Sequence, residues 1–346
     1  MKNEHYVPQA YLRLFAPEND DRISRYSLVE KHGGGDYYHP KDYYPIQKAA
    51  SATGFADELF ENPQTTDAEE DMRNALKSLD SGDSLSESEL IWISEFLLFQ
   101  RDRTPRSKMF HQTMGTLNEA LGGQNYDWED VVHHDSKHAF ENLMMMGWRV
   151  IENHTELPFF TSDFPVVWWR DVHPDRDPNT MDFFERVEIY CPIGPNHLLM
   201  LLDPATFDIE PLHGDGDIPR IEVSERTEIW KFNLLQGLTS FREVFAPVEY
   251  GDLLRVMIEK MCDAFPNKEY VRGPHAEMDE IEKAREIAVK VPTPSEQRWY
   301  REKGKEIILD QQKSANAMWG FNHCIDTVEE LRFDTPKRGY WEQYRR

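Results

Sequence analysis

Val187-Glu188-Ile189-Tyr190-Cys191-Pro192 and His197-Leu198-Leu199-Met200-Leu201-Leu202 are two short apolar runs separated by Ile193-Gly194-Pro195-Asn196. Their length and their turn-forming neighbours read as strands. Upstream, Trp148–Val150, Pro158–Phe160 and Val166–Trp169 have the same texture, broken by proline, asparagine and aspartate. Before this cluster the chain reads as helices, and after it as helices again. Strands grouped in one block, rather than alternating with helices, give an α+β fold. The expected architecture is an N-terminal helical layer packed on a mostly antiparallel sheet. Trp148, Phe160, Val167, Ile189 and Leu199 are its expected core.

The helical side carries its own punctuation. Pro8 suits the first turn of a helix, where its missing N–H costs nothing. Tyr11, Leu12 and Phe15 then share a face. Arg22 to Val29 alternates weakly as a strand, and Gly33-Gly34-Gly35 reads as a hairpin loop. Thr66 with Glu69, and Ser86 with Glu89, have the spacing of capping boxes and start two helices. The second, about 87 to 103, places Ile93, Phe96, Leu97 and Gln100 at helical spacing and reads as the central buried helix. It stops at Thr104-Pro105. Further helices are expected at about 105–121, 128–146, 224–239, 249–264 and 276–312. Residues 1–265 are expected to form one α+β domain, and 266–346 a charged helical C-terminal extension.

The chain has 346 residues, 39% of them hydrophobic, so a sizeable core is available. It carries 63 acidic against 39 basic residues, a net charge of −24. No basic track for nucleic acid runs through it as a whole. The acids are spread out, which favours a solvated acidic surface over a specific basic partner. Three cysteines, widely spaced, outline neither a disulfide framework nor a zinc motif. No apolar leader is visible, and Leu198–Leu202 is far too short to cross a bilayer. A cytoplasmic protein with no membrane partner is the expectation.

Three segments set polar residues inside apolar runs: His5-Tyr6-Val7-Pro8-Gln9 leading to Tyr11-Leu12, Phe99-Gln100-Arg101-Asp102-Arg103-Thr104-Pro105, and Thr161-Ser162-Asp163-Phe164-Pro165. Together, in this order and spacing, they resemble the domain of unknown function 4238 family. Phe232-Asn233-Leu234-Leu235-Gln236, followed by Phe241-Arg242, resembles its closing segment. The resemblance spans roughly residues 3 to 250. Phe164 departs from it, standing where the family often has a small polar residue, as does the acidic tail beyond about 270. The resemblance groups these motifs and implies no reaction.

Two functional classes follow from the grouped residues. In the first, the protein hydrolyses a phosphoester in nucleic acid or a nucleotide. His5 would move the proton, Arg103 would hold the phosphate, and Asp163 would orient His5 or bind a metal. Gln9, Gln100, Arg101, Ser162 and Asn233 would bind substrate. A divalent metal stays open as a cofactor, with no ligand set assigned. In the second class the protein binds a partner without catalysis, and the polar cluster only staples helix to sheet.

Weaker patterns have plainer readings. Arg106 and His111 match a short nuclease motif of helical nucleotide-binding domains, a match short enough to arise by chance. His134 and His138 lie at metal-ligand spacing but lack a glutamate partner and read as a solvated face. His213-Gly214-Asp215-Gly216-Asp217 reads as a polar turn, and Met144-Met145-Met146 as core.

Overall fold

A computed structural model describes residues 6–17, 20–27, 44–52, 65–104, 140–170, 187–212, 216–240 and 243–264. The expected helices at 105–121 and 276–312, the triple glycine, Arg106, His111, His134, His138 and the extension 266–346 lie outside these residues.

The chain opens with α1 (Gln9–Leu12), which tightens into a 3-10 turn over Arg13–Phe15. Pro8 caps this helix from an extended conformation, one position earlier than the sequence suggested, and its carbonyl accepts the Leu12 N–H. Tyr11, Leu12 and Phe15 are all buried, as their shared face requires. β1 (Arg22–Ser27), β2 (Tyr44–Pro45) and α2 (Ile46–Ala52) follow. α3 (Thr65–Ser81) begins at Thr65, so Thr66 lies within the helix rather than before it. α4 (Glu87–Asp102) begins at the expected capping box. The Ser86 hydroxyl accepts the Glu89 N–H, and the Glu89 carboxylate accepts the Ser86 N–H at 2.8 Å. Ile93, Phe96, Leu97 and Gln100 are buried along its inner side.

The strand block then runs through β3 (Gly147–Asn153), β4 (Thr161–Ser162), β5 (Val167–Arg170), β6 (Val187–Pro192) and β7 (His197–Leu202). Pro158–Phe160, expected as a strand, is irregular; the strand begins at Thr161. Asn233 explains how this stretch is tolerated in the interior. Its side chain accepts the Phe160 N–H at 2.7 Å and donates to the Pro158 carbonyl at 2.9 Å, replacing the missing ladder. A short α5 (Pro204–Phe207), β8 (Arg220–Val223), α6 (Arg226–Thr239), β9 (Glu243–Ala246) and α7 (Gly251–Ala264) complete the described chain.

Among the described residues the strands divide into two sheets. One has the order β5-β6-β7-β3-β8, antiparallel except for the parallel β3–β8 edge. The other, β2-β1-β9-β4, is antiparallel and joins strands from distant parts of the sequence. An α+β architecture is therefore present, with a second sheet added to the one expected.

Both faces of the five-stranded sheet are covered. Trp148, Val150, Ile189, Cys191, Leu199 and Leu201 point toward α1, α3 and α4 in one apolar cluster. Ile151, Val167, Tyr190, Leu198, Met200 and Leu202 point the other way, toward α6 and α7. That is why the run from Leu198 to Leu202 is continuous rather than alternating: a strand buried on both sides has no solvent position to make polar. All five expected core residues are buried. Of the three consecutive methionines, only Met146 is fully buried; Met145 is 66% exposed at the bend into β3.

Candidate functional site

The three motif segments meet where α1 wedges between α4 and the sheets. Tyr11 is the pin. Its ring lies 5.2 Å from Phe96 of α4 and 5.5 Å from Phe15, centroid to centroid. Its hydroxyl is 2.6 Å from the Pro192 carbonyl and 2.8 Å from the Thr161 hydroxyl. A phenol has one proton, and the carbonyl can only accept, so Thr161 donates to Tyr11. Burial raises the Tyr11 hydroxyl well above its ordinary pKa, and the neighbouring Cys191 adds to the rise. Burial likewise pushes the Cys191 thiol up to about 12. Neither group ionises near neutral pH.

Gln100 ties α4 to the same segment, its amide donating to the Tyr6 carbonyl at 2.6 Å. One residue on, the Arg101 guanidinium lies over the Trp168 ring at 4.8 Å, a cation–π contact between the end of α4 and β5. Arg103 caps α4, its N–H on the Phe99 carbonyl at 2.7 Å. Its guanidinium lies 3.8 Å from Glu69 on α3. Two arginines here also complement the negative pole of the helix dipole.

At the end of β4 the chain turns from Ser162 into Asp163, both fully buried. Ser162 donates to the Gln236 side chain at 2.9 Å and accepts the Phe164 N–H at 3.1 Å. Gln236 in turn donates to the Pro165 carbonyl at 2.9 Å. Asn233 and Gln236, one helical turn apart on α6, thus hold residues 158–165 at both ends.

Asp163 faces β9. One carboxylate oxygen accepts the Glu243 N–H at 3.1 Å, while the Asp163 N–H donates to the Glu243 carbonyl at 2.9 Å. The Glu243 carboxylate makes a two-pronged pair with Arg25 of β1, at 2.6 and 2.7 Å. Burial raises Glu243 to about 7, with Arg25 pulling it down and the Asp163 charge pushing it up. A buried carboxyl that exchanges its proton near neutrality is thereby placed beside Asp163.

The structure links Gln100, Arg101 and Thr161 to one joint, and ties Ser162, Asp163 and Asn233 to the turn beside it. Gln9 accepts from Arg13 within its own turn, at 3.4 Å. His5 lies outside the described residues, one position before Tyr6. Tyr11, Gln236, Glu243 and Arg25 were not singled out from the sequence as polar players. Gln236 had a signal, its three-residue spacing from Asn233 on one helix face. Arg25 and Glu243 had none, being 218 positions apart and joined only by strand pairing.

No curated protein and no solved structure matches the chain. A family model does match, over residues 3–247, and its description is a protein of unknown function, DUF4238. That span contains every motif segment meeting at the joint and all of both sheets, and the chain belongs to the DUF4238 family.

Proposed function

We propose that the protein hydrolyses a phosphoester of a nucleic acid or nucleotide at the joint between α1, α4 and the Thr161–Pro165 turn. The observation that carries this reading is the meeting of the three polar segments. Gln100 holds Tyr6, Tyr11 holds Thr161, and Arg101 lies on Trp168, five residues after Asp163. The arginine-bearing end of α4 is thus tethered to the first segment and to β5, just beyond the third. Arg103, two residues after Arg101, supplies the fork that phosphate oxygens accept. His5 moves the proton, and Asp163 orients it. Gln9, Gln100, Ser162 and Asn233 shape the surroundings, three of them by fixing backbone.

A second reading, binding without turnover, is favoured by a specific fact. Gln100, Ser162 and Asn233 all spend hydrogen bonds on the protein itself. The two readings separate by comparing the wild type with His5→Ala and Arg103→Lys. Hydrolysis is assayed on single-stranded DNA, RNA and nucleotides, with and without divalent metal, beside thermal melting. Hydrolysis by the wild type, lost by at least a hundredfold in both variants at unchanged melting temperature, is expected. Failure of the wild type to hydrolyse any of these substrates overturns catalysis and leaves binding.

A further inference from the structure

We infer that Glu152, His154 and Glu222 form a site for a divalent transition-metal ion on the outer edge of the five-stranded sheet. The three side chains offer ligand atoms that all lie within 4.8 Å of one another. Their backbone positions are fixed by the sheet. Glu152 on β3 and Glu222 on the parallel β8 are directly in register. His154 follows two residues after Glu152, on the same face, and its N–H is bonded to the Val223 carbonyl at 2.9 Å. Two strands therefore deliver three ligands to one patch.

The first carboxylate is already oriented. Arg220 donates through Nε to one Glu152 oxygen. Its other nitrogens donate to the Leu79 and Asp80 carbonyls, at 2.9 and 3.2 Å, where α3 ends. Arg220 is thus anchored at both ends, and its hydrogen bond holds Glu152 below the usual carboxylate range. The other Glu152 oxygen faces His154 Nε2 at 3.8 Å. A metal-binding carboxylate fixed by a second partner behind it is the arrangement that outer-shell residues give to metal centres. On the other side of β3, His197 of β7 is bonded through Nδ1 to Asp80 at 2.6 Å.

Charge supplies the driving force. Two glutamates directly opposite on neighbouring strands repel, and Arg220 engages only one of them. A dication between them removes the repulsion. One imidazole and two carboxylates form a mixed nitrogen–oxygen set, which suits Zn²⁺ or Mn²⁺ better than Mg²⁺, an ion that keeps its waters. Zn²⁺ ligands stand about 2.0–2.2 Å from the ion, so the three atoms must draw together by roughly 1 Å. Glu222 and His154 are exposed and free to make that rotation. Occupied, the site would clamp the short edge strand β8 to β3. It lies on a different sheet from β4 and requires no hydrolytic activity.

The test is calorimetric titration of the full chain with Zn²⁺ alone, for the wild type, His154→Ala and Glu222→Gln, with thermal melting in parallel. Both substituted side chains are exposed, so the variants keep the fold. One saturable Zn²⁺ site in the wild type, weakened at least tenfold in each variant, is expected. The wild type's rise in melting temperature with Zn²⁺ should shrink with it. Absence of Zn²⁺ binding by the wild type overturns the assignment, as does equal binding by all three proteins. Any Zn²⁺ taken up elsewhere appears equally in all three and cancels in the comparison.

Discussion

At the scale of single residues, buried hydroxyls and amides hold this interior together where secondary structure does not reach. Tyr11 shows the consequence. Its hydroxyl satisfies the Pro192 carbonyl and receives the Thr161 proton, all inside apolar surroundings. Tyr11→Phe keeps the ring contacts with Phe15 and Phe96 and removes only the oxygen. Two buried polar groups then lose a partner, each costing about 1–3 kcal/mol if no water replaces it. Urea unfolding should show Tyr11→Phe destabilised by about 2 kcal/mol. A midpoint equal to the wild type's would mean that the hydroxyl is dispensable. Asn233 belongs to the same class, serving as a side-chain substitute for the strand that Pro158 denies.

At the scale of elements, α4 combines a strong start with an end full of tertiary partners. The capping box at Ser86 satisfies two N–H groups that the helix cannot pair internally. The Ser86 hydrogen bonds also hold Glu89 below the usual carboxylate range. Ser86→Ala should cost about 1 kcal/mol, and Ser86→Asp should restore most of it, since aspartate caps equally well. Chemical denaturation of the three proteins checks this. Equal losses for alanine and aspartate would show that the cap is not what Ser86 contributes. At the other end Gln100, Arg101 and Arg103 reach a backbone carbonyl, an aromatic face and a carboxylate. The helix is thereby both nucleated locally and oriented by what it meets.

For the whole molecule, the buried Arg25–Glu243–Asp163 group makes stability depend on pH in an unusual direction. Glu243 is raised from an ordinary 4.5 to about 7. The folded state holds this proton more tightly than the unfolded state between those values. The contribution of Glu243 is therefore complete below about 4.5 and is lost as pH rises toward 7, then stays flat. The loss is on the order of 3 kcal/mol. Glu89 and Glu152, held low, act in the opposite sense, losing their contributions as pH falls through their folded values. Comparing Glu243→Gln with the wild type isolates the first effect. Between pH 5 and pH 8 the wild type should lose stability relative to the variant, measured by urea unfolding at each pH. Parallel pH profiles would refute a neutral-range proton on Glu243.

The amino-acid sequence by itself determined the α+β class, the capping box at Ser86, the buried face of α4 and the strands β5, β6 and β7. These are local signals: hydroxyl and carboxylate three residues apart, apolar residues at helical spacing, apolar runs bounded by turn formers. It also brought the three polar segments to notice, because amides, arginines and an aspartate set among apolar residues stand out in any linear reading. Tertiary structure alone decided that the described strands divide between two sheets. β9 pairs with β1 and β4, and no local pattern encodes a partner some 80 or 220 positions away. It alone decided that Pro158–Phe160 is held by an asparagine rather than by a strand ladder. It alone joined Glu243 to Arg25, and Glu152 to Glu222. Such pairings depend on register between distant strands, and register is fixed only when the faces of the sheets are buried together.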